Sequence, residues 1–310
     1  MSLTEDWVQM RRQYERVIHG TGSSRPRWHQ CVKTVDTALP ALVSHLYIKH
    51  YFSTDIKQKA SELIDNVKLE FKHTLTTRQA WLDRQTMDRA LDNWRRVSSL
   101  AMANAFYNTV KNTVVIPAGI LEGVFYHKDR PNYLNYGSIA KTAAHEIIHG
   151  FDSHGRHFDA DGNVNYWWTG DTDRHYRHKA KCFVRQYGDY YVDHLGLGVN
   201  GARTQAENIA DNGGIKLAFS AYERYVRVNG PEPGLPALPY TPEQLFWVSY
   251  GTHYCAKHNK ESLKNLILND SHTPKQYRIN GALSNSHDFS RVFNCPLGSP
   301  MNSVHKCSVW

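Results

Sequence analysis

His145-Glu146-Ile147-Ile148-His149 sets two histidines four residues apart, and the reading of these five residues decides the fold. Around them, over residues 135–150, Ile139, Ala140, Ala143, Ile147 and Ile148 recur at helical spacing, with Asn135 or Ser138 as the cap, which predicts a helix buried along one stripe. Side chains at i and i+4 share a helix face, so both imidazoles reach one point in space, where two nitrogens can meet a single tetrahedral ion. Glu146, one position on, is held beside such an ion without becoming its ligand. There its carboxylate can take a proton from a metal-bound water and pass it to a leaving amine. The five-residue pattern also arises by chance on surface helices, so a third ligand has to decide the matter.

Residues 206–214, Ala-Glu-Asn-Ile-Ala-Asp-Asn-Gly-Gly, supply it. Glu207 and Asp211 are again four apart, and one of the two carboxylates can bind metal while the other supports it. Alone, such a pair reads as a solvated acidic face, but the apolar and glycine-rich flanks suit a buried helix. Two histidines and one glutamate leave a fourth position open, the arrangement of a catalytic zinc site and not of a structural one. Asp211 is then placed to accept the free ring N–H of a ligand histidine and fix its orientation.

Further out, residues 53–71 carry Ile56, Ala60, Leu63, Ile64, Val67 and Phe71 at helical spacing, with Ser53, Thr54 or Asp55 as cap, and residues 79–91 continue the helical pattern with their charges on an exposed face. Thr113-Val114-Val115-Ile116, closed by Pro117-Ala118-Gly119, predicts a short strand. Asp159-Ala160-Asp161-Gly162-Asn163 reads as a plain turn, because its glycine comes one position too early for a calcium loop and no glutamate closes it. Helices are expected over 174–191 and 203–225, and another starts at Thr241-Pro242-Glu243 after a Pro/Gly loop at 230–236.

At 310 residues with 41% hydrophobic side chains, the chain can bury a core as one large domain or two lobes. The net charge of +8 is spread over scattered residues such as Arg11-Arg12 and Arg95-Arg96, with no basic block or nucleic-acid motif, so no nucleic-acid partner is expected. No run is long and apolar enough for a membrane segment, and no signal peptide is recognisable at the start. The five cysteines, Cys31, Cys182, Cys255, Cys295 and Cys307, leave at least one without an internal partner and fit either cytosolic thiols or the bridges of an exported protein.

The motifs in order resemble the catalytic lobe of the neprilysin and endothelin-converting-enzyme family of zinc metallopeptidases. Asn104-Ala105-Phe106-Tyr107 is similar to its substrate-binding segment, residues 116–121 to its strand, residues 145–152 to its H-E-x-x-H-G-F-D, residues 207–214 to its E-N-x-A-D-x-G-G, and Cys307-Ser308-Val309-Trp310 to its terminus. The resemblance implies one Zn2+ per chain held by His145, His149 and Glu207, with Glu146 catalytic and Asp211 orienting. Asn104 and Ala105, with the strand near Val115, would hold an extended peptide. His272, in Asp270-Ser271-His272-Thr273-Pro274, would steady the oxyanion, and Arg278 would clamp the substrate backbone. The implied fold is mainly α (α+β), a thermolysin-like zincin lobe with a small sheet over 104–310, preceded by a helical segment over 1–103. The implied function is a zinc metalloendopeptidase acting on oligopeptides, extracellular or at the cell surface.

Three departures qualify that picture. The family's larger N-terminal portion is absent, and Leu91 passes to Asn104 by a much shorter connection than in the family. The alternative is therefore a truncated neprilysin-like protein that binds zinc or peptide without turnover. Family pairing implies a Cys182–Cys307 bridge and leaves Cys31, Cys255 and Cys295 without partners; with the sequon at Asn269-Asp270-Ser271 it favours an exported ancestry. Lys141 and Thr142 stand where the family carries apolar residues, and a Lys141 facing the specificity pocket would weaken the preference for a bulky apolar residue.

Overall fold

The computed structural model describes residues 4–20, 26–91 and 101–310. The short connection expected between Leu91 and Asn104 falls largely on residues 92–100, outside the described ones. The chain opens with helices α1 (Glu5–His19), α2 (Arg27–Ala38), α3 (Pro40–Tyr51), α4 (Thr54–Thr77) and α5 (Arg84–Leu91). Ser53 caps α4, its Oγ accepting the Ile56 N–H at 3.3 Å. The expected stripe is buried from Ala60 onward, with Ile56 half-buried, and it continues through Thr74 and Leu75, which is why the helix runs beyond Phe71.

The expected helical continuity over 79–91 breaks at its start, because Asp83 is an anchor and not part of an exposed charged face. Its carboxylate accepts the Thr86 N–H at 2.9 Å and the Thr86 hydroxyl at 2.8 Å, capping α5. It also accepts the hydroxyls of Thr169, at 2.5 Å, and Thr172, at the start of α8 (Gly170–Gly188). Burial pushes the Asp83 carboxyl up, but the bonds from Thr169, Thr172 and Thr86 outweigh it and hold it well below the usual range. Asp83→Ala is expected to cost about 2–3 kcal/mol in denaturant unfolding near neutral pH. Since the folded pKa is depressed, this contribution is full above about pH 4 and fades as pH falls toward the folded value, so wild type and variant should converge in acid.

Strands β1 (Phe106–Asn108) and β2 (Thr113–Val115) form a two-stranded antiparallel ribbon with Phe106 opposite Val115. It packs against the histidine helix. That helix begins earlier than expected. Pro131 leads into α6 (Asn132–Asn135), a π-helical turn follows over Tyr136–Ala140, and α7 (Lys141–His149) completes it. Asn135 and Ser138 are therefore internal and cap nothing. Asn135 instead bonds the His127 backbone through both ends of its amide, at 3.2 and 3.0 Å, and the Ser138 hydroxyl donates to Phe125 O at 2.6 Å. The helix over 174–191 likewise starts earlier, because Thr169 caps it.

After a second ribbon, β3 (Tyr191–Val192) with β4 (Leu197–Gly198), come α9 (Gln205–Asn229), α10 (Pro242–His253), α11 (Lys260–Asn269), α12 (Lys275–Ser284) and α13 (His287–Val292). Thr241 and Gln244 close a full capping box on α10. The fold is mainly α with small sheets. Its centre is α9 against α7, where a Cβ on Gly214 would lie 2.8 Å from the His145 backbone nitrogen. Asp159 makes the expected turn, its Oδ1 accepting the N–H groups of Asp161 and Asn163 at 3.1 and 3.0 Å. The Cys182–Cys307 bridge forms, and Cys31, Cys255 and Cys295 remain thiols. It holds the C-terminal segment in place, and Trp310 packs among Phe71, Trp81, Phe151, Trp168 and Tyr176.

Candidate metal centre

One turn of α7 separates His145 from His149, and their Nε2 atoms face each other at 3.0 Å. Glu207, in the first turn of α9, brings Oε2 to 3.2 Å from the first and 3.7 Å from the second. Among the described residues these three form the metal-competent group, with one ligand atom from each lying within 4.8 Å of the others. Tetrahedral ligands at zinc distances sit roughly 3.3 Å apart, so the spacing suits that ion.

The donor set itself tests the fit. Nδ1 of His149 lies 2.7 Å from Asp152 Oδ2, and Nδ1 of His145 lies 3.0 Å from Asp211 Oδ1. A neutral ring whose Nδ1–H faces a carboxylate turns its Nε2 lone pair outward. Two lone pairs and a carboxylate oxygen then converge on one point, and Glu207 Oε2 is buried without a hydrogen-bond partner. A cation bound at that point would relieve the arrangement. Burial pulls the His149 pKa down, but the Asp152 bond and the Glu207 charge outweigh it and raise it to about 9.

Glu146 is not one of the three. It is buried yet makes no hydrogen bond to any described residue, so its carboxylate keeps its accepting capacity. Asp211 is fully buried, and Arg278 holds it with a two-pronged grip, Nε to Oδ2 at 2.5 Å and Nη2 to Oδ1 at 2.8 Å. Burial would raise its carboxyl, but Arg278 and Lys141 outweigh that and hold it well below the usual range. His272 enters from the loop before α12 with Nε2 3.1 Å from Glu207 Oε2 and Nδ1 2.7 Å from Asp270 Oδ1. Its pKa is raised, chiefly by Glu207. Asn104 is exposed, its side chain accepting the Ala105 N–H at 2.9 Å, at the entry to β1.

Two features went unread in the sequence. Asp152 was available as a carboxylate three residues after His149, but it lies past the helix end, where periodicity gives no orientation. Lys141 does not meet the condition set for it, that it face a specificity pocket. It is 2% exposed, and its Nζ donates to Asp211 Oδ1 at 2.8 Å and to the Tyr254 hydroxyl. An ammonium taken out of water has to find such a partner. Burial lowers its pKa to about 8 against the opposing pull of Asp211.

Comparison with known proteins gives the family of the chain. The model of peptidase family M13 matches residues 104–309, and a second model of the same family matches residues 1–99. The chain belongs to peptidase family M13. Neprilysin-2 of Drosophila melanogaster is 36% identical over 379 residues, covering 99% of this chain and 49% of the relative. Human endothelin-converting enzyme 1 is 33% identical, over 96% of this chain and 46% of its own length. The chain thus spans about half the length of these relatives. The fold is similar to that of the Mycobacterium tuberculosis zinc metalloprotease Zmp1 in complex with an inhibitor, with a TM-score of 0.92 and 24% identity over 99% of this chain and 55% of that one. PEPO from Lactobacillus rhamnosis gives 0.87 at 21% identity, over 99% and 55%.

Proposed function

We propose that this M13 chain is a zinc metalloendopeptidase that hydrolyses peptide bonds in oligopeptides, with residues 104–310 as the catalytic domain and residues 1–103 as the helical segment leading into it. The observation that carries this reading is the convergence of the His145 and His149 Nε2 atoms on the orphaned Glu207 oxygen. His145, His149 and Glu207 would hold one zinc, which would supply the Lewis acidity to polarise a peptide carbonyl and activate a water. Glu146, with its acceptor unspent, takes the proton of the attacking water and returns it to the leaving nitrogen. Asp152 fixes the His149 imidazole, and Asp211 faces that of His145. His272, whose Nε2 lies 3.1 Å from Glu207 Oε2, is the donor for the developing oxyanion. Arg278 spends Nε and Nη2 on Asp211 and keeps Nη1 for a substrate carbonyl. Asn104 and Ala105 lie where the β1–β2 ribbon begins, and a peptide laid along the ribbon adds a strand there.

We place this chain's activity outside the cell or at its surface, where the Cys182–Cys307 bridge persists. Among the described residues no helix is long and apolar enough to cross a membrane. The test uses the purified chain, with bound zinc measured and a quenched oligopeptide assayed with and without a chelator. One zinc per chain and cleavage abolished by the chelator are expected. Zinc without cleavage overturns the hydrolase reading in favour of a binding protein, and absence of zinc overturns the metal centre as well.

A further inference from the structure

The two metal-site histidines are supported unequally. Asp152 divides its work cleanly, Oδ2 facing His149 at 2.7 Å while Oδ1 accepts the backbone N–H groups of His154 and Gly155, each at 2.7 Å. Asp211 is crowded. Its Oδ1 is approached by Lys141 Nζ at 2.8 Å, Arg278 Nη2 at 2.8 Å, the Tyr254 hydroxyl at 2.9 Å and His145 Nδ1 at 3.0 Å. A carboxylate oxygen offers about two lone-pair directions, so four donors cannot all be satisfied. The one left out is His145, whose Nδ1 is buried and, despite its 3.0 Å approach, lacks hydrogen-bond geometry.

We infer that Lys141 is a positioning residue that competes with His145 for Asp211 Oδ1, leaving His145 a weaker zinc ligand than His149. The inference rests on the zinc reading above and adds a specific asymmetry to it. Lys141 stands one turn before His145 on α7, so its ammonium reaches the same oxygen from the same helix face. It is locked there by the Tyr254 hydroxyl and lies over the rings of Tyr254 and Tyr250, 4.8 and 5.3 Å from their centroids. Arg278 already neutralises Asp211, so the second cation is not needed to hold the carboxylate. What Lys141 adds is occupancy of Oδ1, at the expense of the bond that would raise the basicity of His145. A weakened His145 leaves the metal more electron-poor and more readily lost.

The test measures zinc dissociation constants by competition with a chromogenic chelator, and visible absorption of the cobalt-substituted chain, for wild type, Lys141→Met and Tyr254→Phe. Lys141→Met keeps the side-chain length without charge or donor, and zinc is expected to bind about tenfold tighter, with shifted cobalt bands. Tyr254→Phe removes a rival donor without changing charge and should shift affinity in the same direction by a smaller factor, about threefold. It also carries the test should Lys141→Met fail to fold. Unchanged or weaker zinc binding in both variants, with the melting temperature kept, overturns the inference. A gain in Lys141→Met that Tyr254→Phe does not share, with cobalt bands unmoved, overturns it in favour of charge repulsion alone. A wild-type chain that binds neither zinc nor cobalt removes the metal reading itself and this inference with it.

Discussion

Glu146→Gln is expected to leave one zinc per chain and to reduce oligopeptide hydrolysis by about a thousandfold. The two halves of this prediction come from different observations. Zinc retention follows because Glu146 lies outside the group formed by His145, His149 and Glu207, and because its carboxylate holds no hydrogen bond whose loss would disturb the helix. The amide is nearly isosteric, so packing beneath the site is unchanged. The loss of rate follows because a carboxamide cannot accept a proton at neutral pH, and no second base takes its place. Of the neighbouring carboxylates, Asp152 is taken up by His149 and two backbone N–H groups, Asp211 by Arg278, Lys141 and Tyr254, and Glu207 faces the two histidines. Metal analysis with single-turnover cleavage of a quenched peptide separates the two. Turnover retained within tenfold of wild type would remove Glu146 from the role of general base.

Local chemistry made the first half of the site legible. His145, Glu146 and His149 lie within one helical stretch, where a period of 3.6 residues fixes relative directions, and the same period placed Glu207 and Asp211 on a second helix. Neither pattern contains the packing of α7 on α9 that joins the pairs. For that the reading depended on resemblance, as it did for His272 and Arg278, which lie on a loop and a later helix and would otherwise read as surface residues. Misreadings arose where long-range bonds overrode a local pattern. Asp83 looked like an exposed helical charge until Thr169 and Thr172, at the cap and first turn of α8, met it, and Ser138 looked like a cap until Phe125 O claimed its hydroxyl. Lys141 is the clearest case, since its partner Tyr254 lies 113 residues away and no spacing rule reaches that far.

That packing yields the second large effect. Gly214→Ala is expected to lower stability by about 1–2 kcal/mol and zinc affinity by about 10- to 100-fold. Helix propensity alone argues the opposite sign, since alanine inside a helix is favoured over glycine by about 1 kcal/mol. Sterics decide. A Cβ at this position falls 2.8 Å from the backbone nitrogen of His145 and 2.9 Å from its Cα, and backbone cannot rotate out of the way as a side chain can. α9 has to back away from α7 at the turn that carries the first histidine, and Asp211 and Glu207 ride on α9 one and two turns upstream. Metal ligands tolerate displacements of about 0.2 Å, so a shift too small to unfold the chain is enough to weaken the centre. Gly251→Ala in α10 is the matched control, because a Cβ there meets nothing within 4 Å and only the propensity gain remains. Thermal melts and chelator competition on the two variants should diverge in sign for stability and in size for zinc. Equal behaviour would mean that the close approach of α9 to α7 does not set the metal site.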